Sequence, residues 1–226
     1  MNILVTGSNG FIGKNLCSAL YNVKDSKDNS RYLSSDIEIF EFDIDSDIAL
    51  LDEYCRKADF VFNFAGVNRP ESSEDFVKGN FLFASHLLDT LKKYNNKCPV
   101  VLSSSLQATL VGRFCESEYG KSKKACEELF FNYSKETGAP VYVFRFPNVF
   151  GKWCKPNYNS AVATFCNNIA NGLPIQVNDR SVNMTLVYID DVVNEIINAI
   201  CGRETKDGDF CKVPVEHKIT LGEIVD

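Results

Sequence analysis

The segment Asn2-Ile-Leu-Val-Thr-Gly-Ser-Asn-Gly-Phe-Ile-Gly13 decides the fold class. An apolar strand-like run at 2–5 leads into the glycine spacing GxxGxxG at 7–13, and a helical apolar period begins at Phe11. Glycines allow a tight turn and the close approach of a pyrophosphate to the helix N-terminus, where free N–H groups and the helix dipole favour an anion. The segment therefore predicts a dinucleotide site, and its strand-turn-helix context disfavours a plain glycine-rich turn.

Strand and helix patterns alternate along the rest of the chain. This βαβα order predicts an α/β fold, a Rossmann-like doubly wound parallel sheet with right-handed crossovers. We expect residues 1–150 to form the dinucleotide-binding domain and residues 151–226 a small C-terminal substrate-binding lobe interleaved with it. Strands are expected at 2–5, 37–42, 59–64, 99–104, 141–146, 175–177 and 183–188. Helices are expected at about 11–22, 47–57, 75–94, 117–137, 159–171 and 190–201, with Asp190 and Asp191 capping the last.

Composition excludes several classes of protein. The 226 residues are 45% hydrophobic and 24% charged, which is ordinary for a folded domain, and the net charge of −6 disfavours nucleic acid and anionic membranes as partners. No apolar run approaches the roughly 20 residues of a membrane span. The nine cysteines are odd in number and lack a CxxC pair, so we expect reduced thiols in a cytoplasmic protein. With only two histidines, no metal site is expected.

A second motif combines serines with a tyrosine and a lysine. Ser103-Ser-Ser105 ends the fourth apolar strand, and Tyr119 precedes Lys123 by four residues, which places the two on one helix face. An ammonium there would lower the phenol pKa from about 10 toward a range useful for acid/base chemistry. The alternative is a half-buried helix tyrosine beside a polar loop, which is the default for an isolated YxxxK.

These motifs, with Asn63-Phe-Ala-Gly66 and Arg145-Phe-Pro-Asn-Val-Phe-Gly151, resemble the extended short-chain dehydrogenase/reductases that act on nucleotide sugars. The resemblance covers the whole chain. More narrowly, Gly151-Lys-Trp-Cys-Lys-Pro-Asn-Tyr-Asn-Ser160 is the most specific of several segments similar to the reductase half of the bifunctional UDP-sugar C3-epimerase/C4-reductases of bacterial capsule synthesis, on the UDP-N-acetyl-L-fucosamine pathway. The other such segments are 65–71, 102–108 and 176–180.

The resemblance implies roles for individual residues. Tyr119 would be the general acid, Lys123 its partner and the ribose anchor, and Ser105, rather than Ser104, the hydroxyl that holds the substrate oxygen. The implied cofactor-binding residues are Gly7, Asn9, Gly10, Phe11, Ile12, Gly13, Asp43, Ala65, Gly66, Ser103, Tyr119, Lys123 and Phe146.

Substrate contacts are expected after the third strand and in the lobe that follows the fifth. A diphosphate would suit the polar groups that open a helix and the nearby positive charges. Trp153, the only tryptophan, could pack in the core or cover a sugar or uracil ring. Besides Ser105, the candidates for substrate binding are Asn68, Arg69, Asn148, Lys152, Trp153, Lys155, Asn159, Ser160 and Arg180.

Departures from the family pattern narrow the chemistry. Leu106-Gln107 offers no proton donor for a 4,6-dehydratase, and a C3 or C5 epimerase would need a further acid/base group, for which Cys115 and Cys154 stay open. Ala108-Thr-Leu110 replaces the usual Val-Tyr-Gly, and an arginine usual before the Asp190 motif is missing, a charge that Arg180 could supply. What remains is hydride transfer at C4, and the resemblance implies NAD(P)H-dependent reduction of the C4 keto group of a UDP-4-keto-6-deoxy-amino sugar. A UDP-sugar C4 epimerase with tightly bound NAD and a non-catalytic NAD-binding scaffold remain as alternatives.

The residues after the second strand and the family resemblance predict different nicotinamide cofactors. The segment Glu41-Phe-Asp-Ile-Asp-Ser-Asp47 carries no base to neutralise a 2′-phosphate, so Asp43 weakly favours NADH, whereas the resemblance implies NADPH. Asp43 could instead contact adenine or cap the helix at 47–57, and Arg31 or Lys14 could still reach the phosphate. The resemblance also implies a homodimer through the helices at 75–94 and 117–137 and a cupin-type domain beyond Asp226, so we expect a longer native reading frame.

Overall fold

The computed structural model describes residues 1–67 and 76–226, and within them helices and strands alternate as far as β5. The strands are β1 Asn2–Thr6, β2 Glu38–Phe42, β3 Phe60–Asn63, β4 Val100–Ser105, β5 Val141–Phe146, β6 Asn148–Phe150, β7 Asn183–Tyr188, β8 Lys206–Asp207, β9 Phe210–Cys211 and β10 His217–Thr220. The helices are α1 Phe11–Lys24, α2 Ile48–Lys57, α3 Phe83–Lys93, α4 Glu118–Thr137, α5 Ala161–Ala170, α6 Ile189–Ile200 and α7 Leu221–Val225. A π-helical turn, Val77–Leu82, leads into α3, and 3₁₀ turns span Leu106–Thr109 and Gly112–Phe114.

The main sheet has the strand order β2-β1-β3-β4-β5-β9-β8, and β1 to β5 are parallel. The chain leaves β1 toward β2 and returns to β3 on the other side of β1, so a crevice opens at the carboxyl ends of β1 and β3. Open parallel sheets bind their ligands at such a reversal. The α/β doubly wound fold is thus confirmed. A smaller sheet has the order β10-β7-β6.

Two apolar clusters cover the two faces of the main sheet. Because side chains alternate along a strand, Ile3 and Val5 pack on the side of α1 and α6, whereas Leu4 packs on the side of α2, α3 and α4. Both layers therefore hold β1 rigidly, and with it the turn that follows Thr6. Within the described ranges, no helix combines the length and apolarity needed to cross a membrane.

Two local expectations are wrong. The expected strand at 175–177 does not form, because Pro174 has no N–H to donate and its carbonyl accepts from the Asn168 side chain, 3.0 Å away. Asp190 and Asp191 do not cap α6: the N-cap is Tyr188, no side chain bonds there, and both carboxylates lie in the first turn. From the first turn, these carboxylates still interact favourably with the positive end of the helix dipole.

Candidate active site

The glycine turn between β1 and α1 is crowded by backbone. Gly7 has φ +68°, and a Cβ at this position would lie 2.6 Å from the Ala65 nitrogen and 2.7 Å from the Phe64 carbonyl carbon. A Cβ at Gly13 would overlap the Gly7 carbonyl. Gly10 is the N-cap of α1 and, within the described ranges, no side chain caps that end. The N–H groups of residues 7–10 bond within the protein, so the main-chain N–H groups left for a dinucleotide pyrophosphate are those at the start of α1, where the glycines leave room for its close approach.

Asp43 connects the end of β2 to this turn. Its Oδ2 accepts from the Asn9 N–H at 2.7 Å, and its Oδ1 accepts from the Ile44 N–H at 2.8 Å. The alternative that Asp43 caps α2 is wrong, because Asp47 caps that helix. Arg31, considered above for a 2′-phosphate, pairs with Asp28 at 2.8 Å.

Tyr119 and Lys123 lie on one face of α4, below the end of β4. Lys123 is 6% exposed, its Nζ donates to the Ser103 carbonyl at 3.0 Å, and the Nζ lies 5.7 Å from the centre of the Tyr119 ring. Burial lowers the pKa of Lys123. Burial also raises the pKa of Tyr119 above its ordinary value, and Tyr158 and then Cys126 add to the shift.

The expected lowering of the Tyr119 pKa by Lys123 is therefore wrong. The Lys123 ammonium is directed to the Ser103 carbonyl, and desolvation of the phenol dominates. A phenol with a raised pKa stays protonated at neutral pH. Tyr119 is thus in the form that can donate a proton.

Ser104 and Ser105 have different environments. Ser104 is buried and donates to Glu127 at 2.5 Å, and Glu127 accepts two further bonds from Arg145 at 2.9 and 2.6 Å. Ser105 is partly exposed at the end of β4, where its Oγ accepts from the Gln107 N–H at 3.2 Å as the cap of a 3₁₀ turn. The Ser105 hydroxyl hydrogen can therefore still be donated to a substrate oxygen.

Asn80 is a site residue that sequence reasoning missed. It is 2% exposed, accepts from the Val67 N–H at 2.8 Å and donates to Ser122 at 3.1 Å. A Cβ at Gly66 would lie 2.6 Å from the Asn80 Oδ1 and 3.3 Å from the Lys123 Nζ. Asn80 thus fixes the segment after β3 against α4, and the signal for it was a lone amide within an apolar helical stretch.

The expected substrate residues are distributed over several elements. Asn148 donates to the Thr185 carbonyl at 3.2 Å and joins β6 to β7, while the Ser160 Oγ caps α5 by accepting from the Ala163 N–H at 3.3 Å. Lys155 and Asn159 are exposed. Asn68 and Arg69 lie outside the described residues.

Two of the expected positive charges are already paired. Lys152 lies 2.9 Å from Asp190, and Arg180 lies 2.5 Å from Asp226, with all four side chains about half exposed or more. Such surface ion pairs are weak, so an anionic ligand can displace them. Trp153 is 49% exposed and is not a core residue.

Comparisons with known proteins identify relatives along the whole chain. The model of the NAD dependent epimerase/dehydratase family matches residues 3–208. UDP-2-acetamido-2,6-beta-L-arabino-hexul-4-ose reductase of Pseudomonas aeruginosa is 41% identical over 226 residues, which are 100% of this chain and 56% of that protein. UDP-glucuronate 4-epimerase 1 of Arabidopsis thaliana is 27% identical over 247 residues, covering 92% of this chain and 57% of the epimerase.

A solved structure agrees with these relatives. The capsular polysaccharide assembling protein CapF from Staphylococcus aureus superposes with a TM-score of 0.84 at 46% identity, over 100% of this chain and 57% of that one. The chain thus spans about half the length of the curated relatives it matches.

Proposed function

This chain belongs to the NAD dependent epimerase/dehydratase family, and we propose that it is a nucleotide-sugar 4-ketoreductase. The proposed reaction is reduction of the C4 keto group of a UDP-4-keto-6-deoxy-amino sugar at the expense of NADH or NADPH. The observation that carries it is the buried Lys123, held by the Ser103 carbonyl one helical turn from a protonated Tyr119. The 41% identity to a UDP-sugar 4-keto reductase supports the choice of substrate class.

The glycine turn, Asp43, Gly66 and Lys123 fit a nicotinamide dinucleotide, because the turn leaves the space that side chains would fill. Such a cofactor supplies hydride to the C4 carbon when bound. The Tyr119 hydroxyl donates its proton to the C4 oxygen, and the Ser105 hydroxyl donates a hydrogen bond to the same oxygen as negative charge develops there. Lys123, one helical turn from Tyr119, would bind the ribose hydroxyls of the cofactor. The products are an alcohol at C4 and the oxidised cofactor.

We propose a preference for NADH over NADPH from the carboxylate at the end of β2. Asp43 would accept hydrogen bonds from ribose hydroxyls and repel a 2′-phosphate, which favours NADH. The hydrogen bond that Asp43 accepts from the Asn9 N–H holds the carboxylate beside the glycine turn.

Most of the proposed substrate contacts lie in the part of the chain after β5. We assign Lys152, Lys155 and Arg180 to the diphosphate, together with Asn148 at the start of β6 and Asn159 and Ser160 at the start of α5, and Trp153 to a ring of the substrate. Asn68 and Arg69 are assigned to the sugar. The division into a dinucleotide-binding part, 1–150, and a substrate-binding part, 151–226, is part of this proposal.

The biological setting is proposed by analogy with the relatives. We propose that the product is a capsular polysaccharide precursor on the UDP-N-acetyl-L-fucosamine pathway, and the likeness to a capsular polysaccharide assembling protein supports the link to the capsule. We expect the reaction to take place in the cytoplasm, which the nine unpaired thiols support. A homodimer through α3 and α4 is expected, and a monomer in sedimentation at micromolar concentration would contradict it.

A second candidate function is C4 epimerisation of a UDP-sugar, which the 27% identity to a UDP-glucuronate 4-epimerase supports. An epimerase retains NAD through its catalytic cycle. Purified protein that carries bound NAD and converts a UDP-sugar without added cofactor would therefore favour epimerisation.

The test of the proposal is steady-state oxidation of NADH and NADPH with a panel of UDP-4-keto sugars. We expect oxidation that depends on a 4-keto-6-deoxy-amino sugar and stops when one reduced cofactor is consumed per sugar. UDP-glucose, which has no keto group, is the control. No oxidation with any keto sugar, by protein that binds the cofactor, would contradict the proposal.

A further inference from the structure

A contact between distant parts of the chain joins the cofactor helix to the candidate substrate segment. Asn15 lies on α1, two residues after the last glycine of the turn, and is 2% exposed. Its Nδ2 donates to the Phe11 carbonyl at 2.8 Å and to the Lys152 carbonyl at 3.2 Å, although Lys152 is 137 residues away in the chain. Asn15 therefore holds the turn after β6 against α1.

The neighbouring residue strengthens the same contact. The Lys14 Nζ lies 5.0 Å from the centre of the Trp153 ring, and Trp153 has φ +65°, in the left-handed region. A cation over the face of an indole ring is attracted by the ring's quadrupole. Lys14 and Asn15 thus contact two successive residues of one turn, Lys152 and Trp153.

The other side of the turn rests on the start of α6. Gly151 has φ +136°, and a Cβ there would lie 2.9 Å from the Tyr188 ring, while Lys152 pairs with Asp190. The turn is therefore held between α1 and α6. A shift of α1 would be transmitted directly to residues 151–153.

The Asn15 side-chain amide carries an oxygen that destabilises the folded state. Its Oδ1 is buried without a hydrogen-bond partner among the described residues, and a buried polar atom without a partner destabilises the folded state. An apolar side chain of similar size would avoid this cost. The amide is therefore explained by what its Nδ2 does, which is to bind the Lys152 carbonyl.

We propose that Asn15 and Lys14 are positioning residues that couple dinucleotide binding at the glycine turn to binding of the UDP part of the substrate by the 151–160 segment. The proposal rests on the proposed function for the identity of the two ligands. Coupling of this kind is reciprocal, so the factor by which one ligand changes the affinity of the other is the same in both directions.

Trp153 provides a direct readout, since it is the only tryptophan and contacts Lys14. Its fluorescence is followed while NAD⁺, which lacks the 2′-phosphate that Lys14 could reach, is titrated into the protein with and without saturating UDP. This oxidised cofactor is chosen because it does not absorb tryptophan emission. In the wild type we expect UDP to change the dinucleotide Kd by about fivefold or more.

Three variants separate coupling from folding. Asn15→Leu and Lys14→Met are expected to bring the ratio of the two Kd values toward one, while the dinucleotide Kd without UDP stays within about threefold of wild type. Lys14→Met keeps the experiment decisive if Asn15→Leu fails to fold. Lys24→Met is the matched control, because Lys24 lies at the far end of α1 and pairs with Glu38. It should keep the wild-type ratio.

A ratio of one in the wild type, a failure of UDP to bind, or an unchanged ratio in Lys14→Met or in a folded Asn15→Leu would overturn the proposal. The experiment involves no turnover. Loss of keto-sugar reduction in a protein with intact coupling would therefore contradict the proposed function alone.

Discussion

The glycine turn at 7–13 and the segment at 151–160 both flank the candidate active site, but they are built differently. The first is made of main chain: Gly7 and Gly13 admit no side chain, and N–H groups at the start of α1 face the site. The second is made of side chains whose partners come from distant elements, as the Lys152 ammonium pairs with Asp190. A main-chain site is fixed by the local sequence, whereas a side-chain site depends on packing across the fold.

The largest effect is expected at the main-chain site. Gly7→Ala adds a Cβ 2.6 Å from the Ala65 nitrogen at φ +68°, so the free energy of unfolding should fall by roughly 2–4 kcal/mol and dinucleotide binding should be lost. The measurements are urea unfolding and a dinucleotide titration. Gly172→Ala is the matched control, since it has φ +64° with open space around the Cβ. Equal losses in the two variants would contradict the account of backbone crowding.

An intermediate effect is expected at Asp43. Asp43→Ala removes the carboxylate that would repel a 2′-phosphate, so the ratio of kcat/KM for NADH to that for NADPH should fall about tenfold. Asp45→Ala, an exposed neighbour, should leave the ratio unchanged. A strong preference of the wild type for NADPH, or an unchanged ratio in Asp43→Ala, would show that Asp43 does not select the cofactor.

A smaller effect is expected in the side-chain site. Lys152→Met breaks an exposed pair with Asp190, so the unfolding free energy should change by less than about 1 kcal/mol. If Lys152 binds the diphosphate, KM for the UDP-sugar should rise roughly threefold to tenfold with kcat nearly unchanged. Lys24→Met serves as the control for removal of a paired surface lysine. An unchanged KM in Lys152→Met would remove Lys152 from the substrate site.

The smallest effect is expected when the pH of the reduction assay is changed. Burial raises the pKa of Tyr119. The phenol is protonated below that pKa and can no longer donate a proton above it. Reduction should therefore have a nearly constant kcat between about pH 6 and about pH 9, and oxidation of the alcohol product should speed up as pH rises. A kcat for reduction that rises with pH in this range would mean that Tyr119 does not act as the acid.

How far the sequence predicts this molecule depends on the range of the interactions. The α/β fold was predictable because apolar periodicity and the glycine spacing act locally, and the same holds for the Tyr119 and Lys123 pair on α4. The absence of a strand at 175–177 could not be predicted, because it depends on the hydrogen bond that the Asn168 side chain donates to the Pro174 carbonyl. Asn80 and Asn15 were missed because their partners, Ser122 and Lys152, are 42 and 137 residues away.

The central claim is that Tyr119 donates the proton in reduction of a 4-keto sugar, and a single-turnover experiment tests it most directly. Wild type, Tyr119→Phe and Tyr133→Phe are preloaded with reduced cofactor and mixed with a UDP-4-keto-6-deoxy-amino sugar. Tyr133 is the control, a buried tyrosine of α4 whose hydroxyl bonds the Asn96 carbonyl. We expect cofactor oxidation about 100-fold slower or more in Tyr119→Phe, with cofactor affinity nearly kept, and near wild-type rates in Tyr133→Phe. Oxidation in Tyr119→Phe at the wild-type rate would contradict the account.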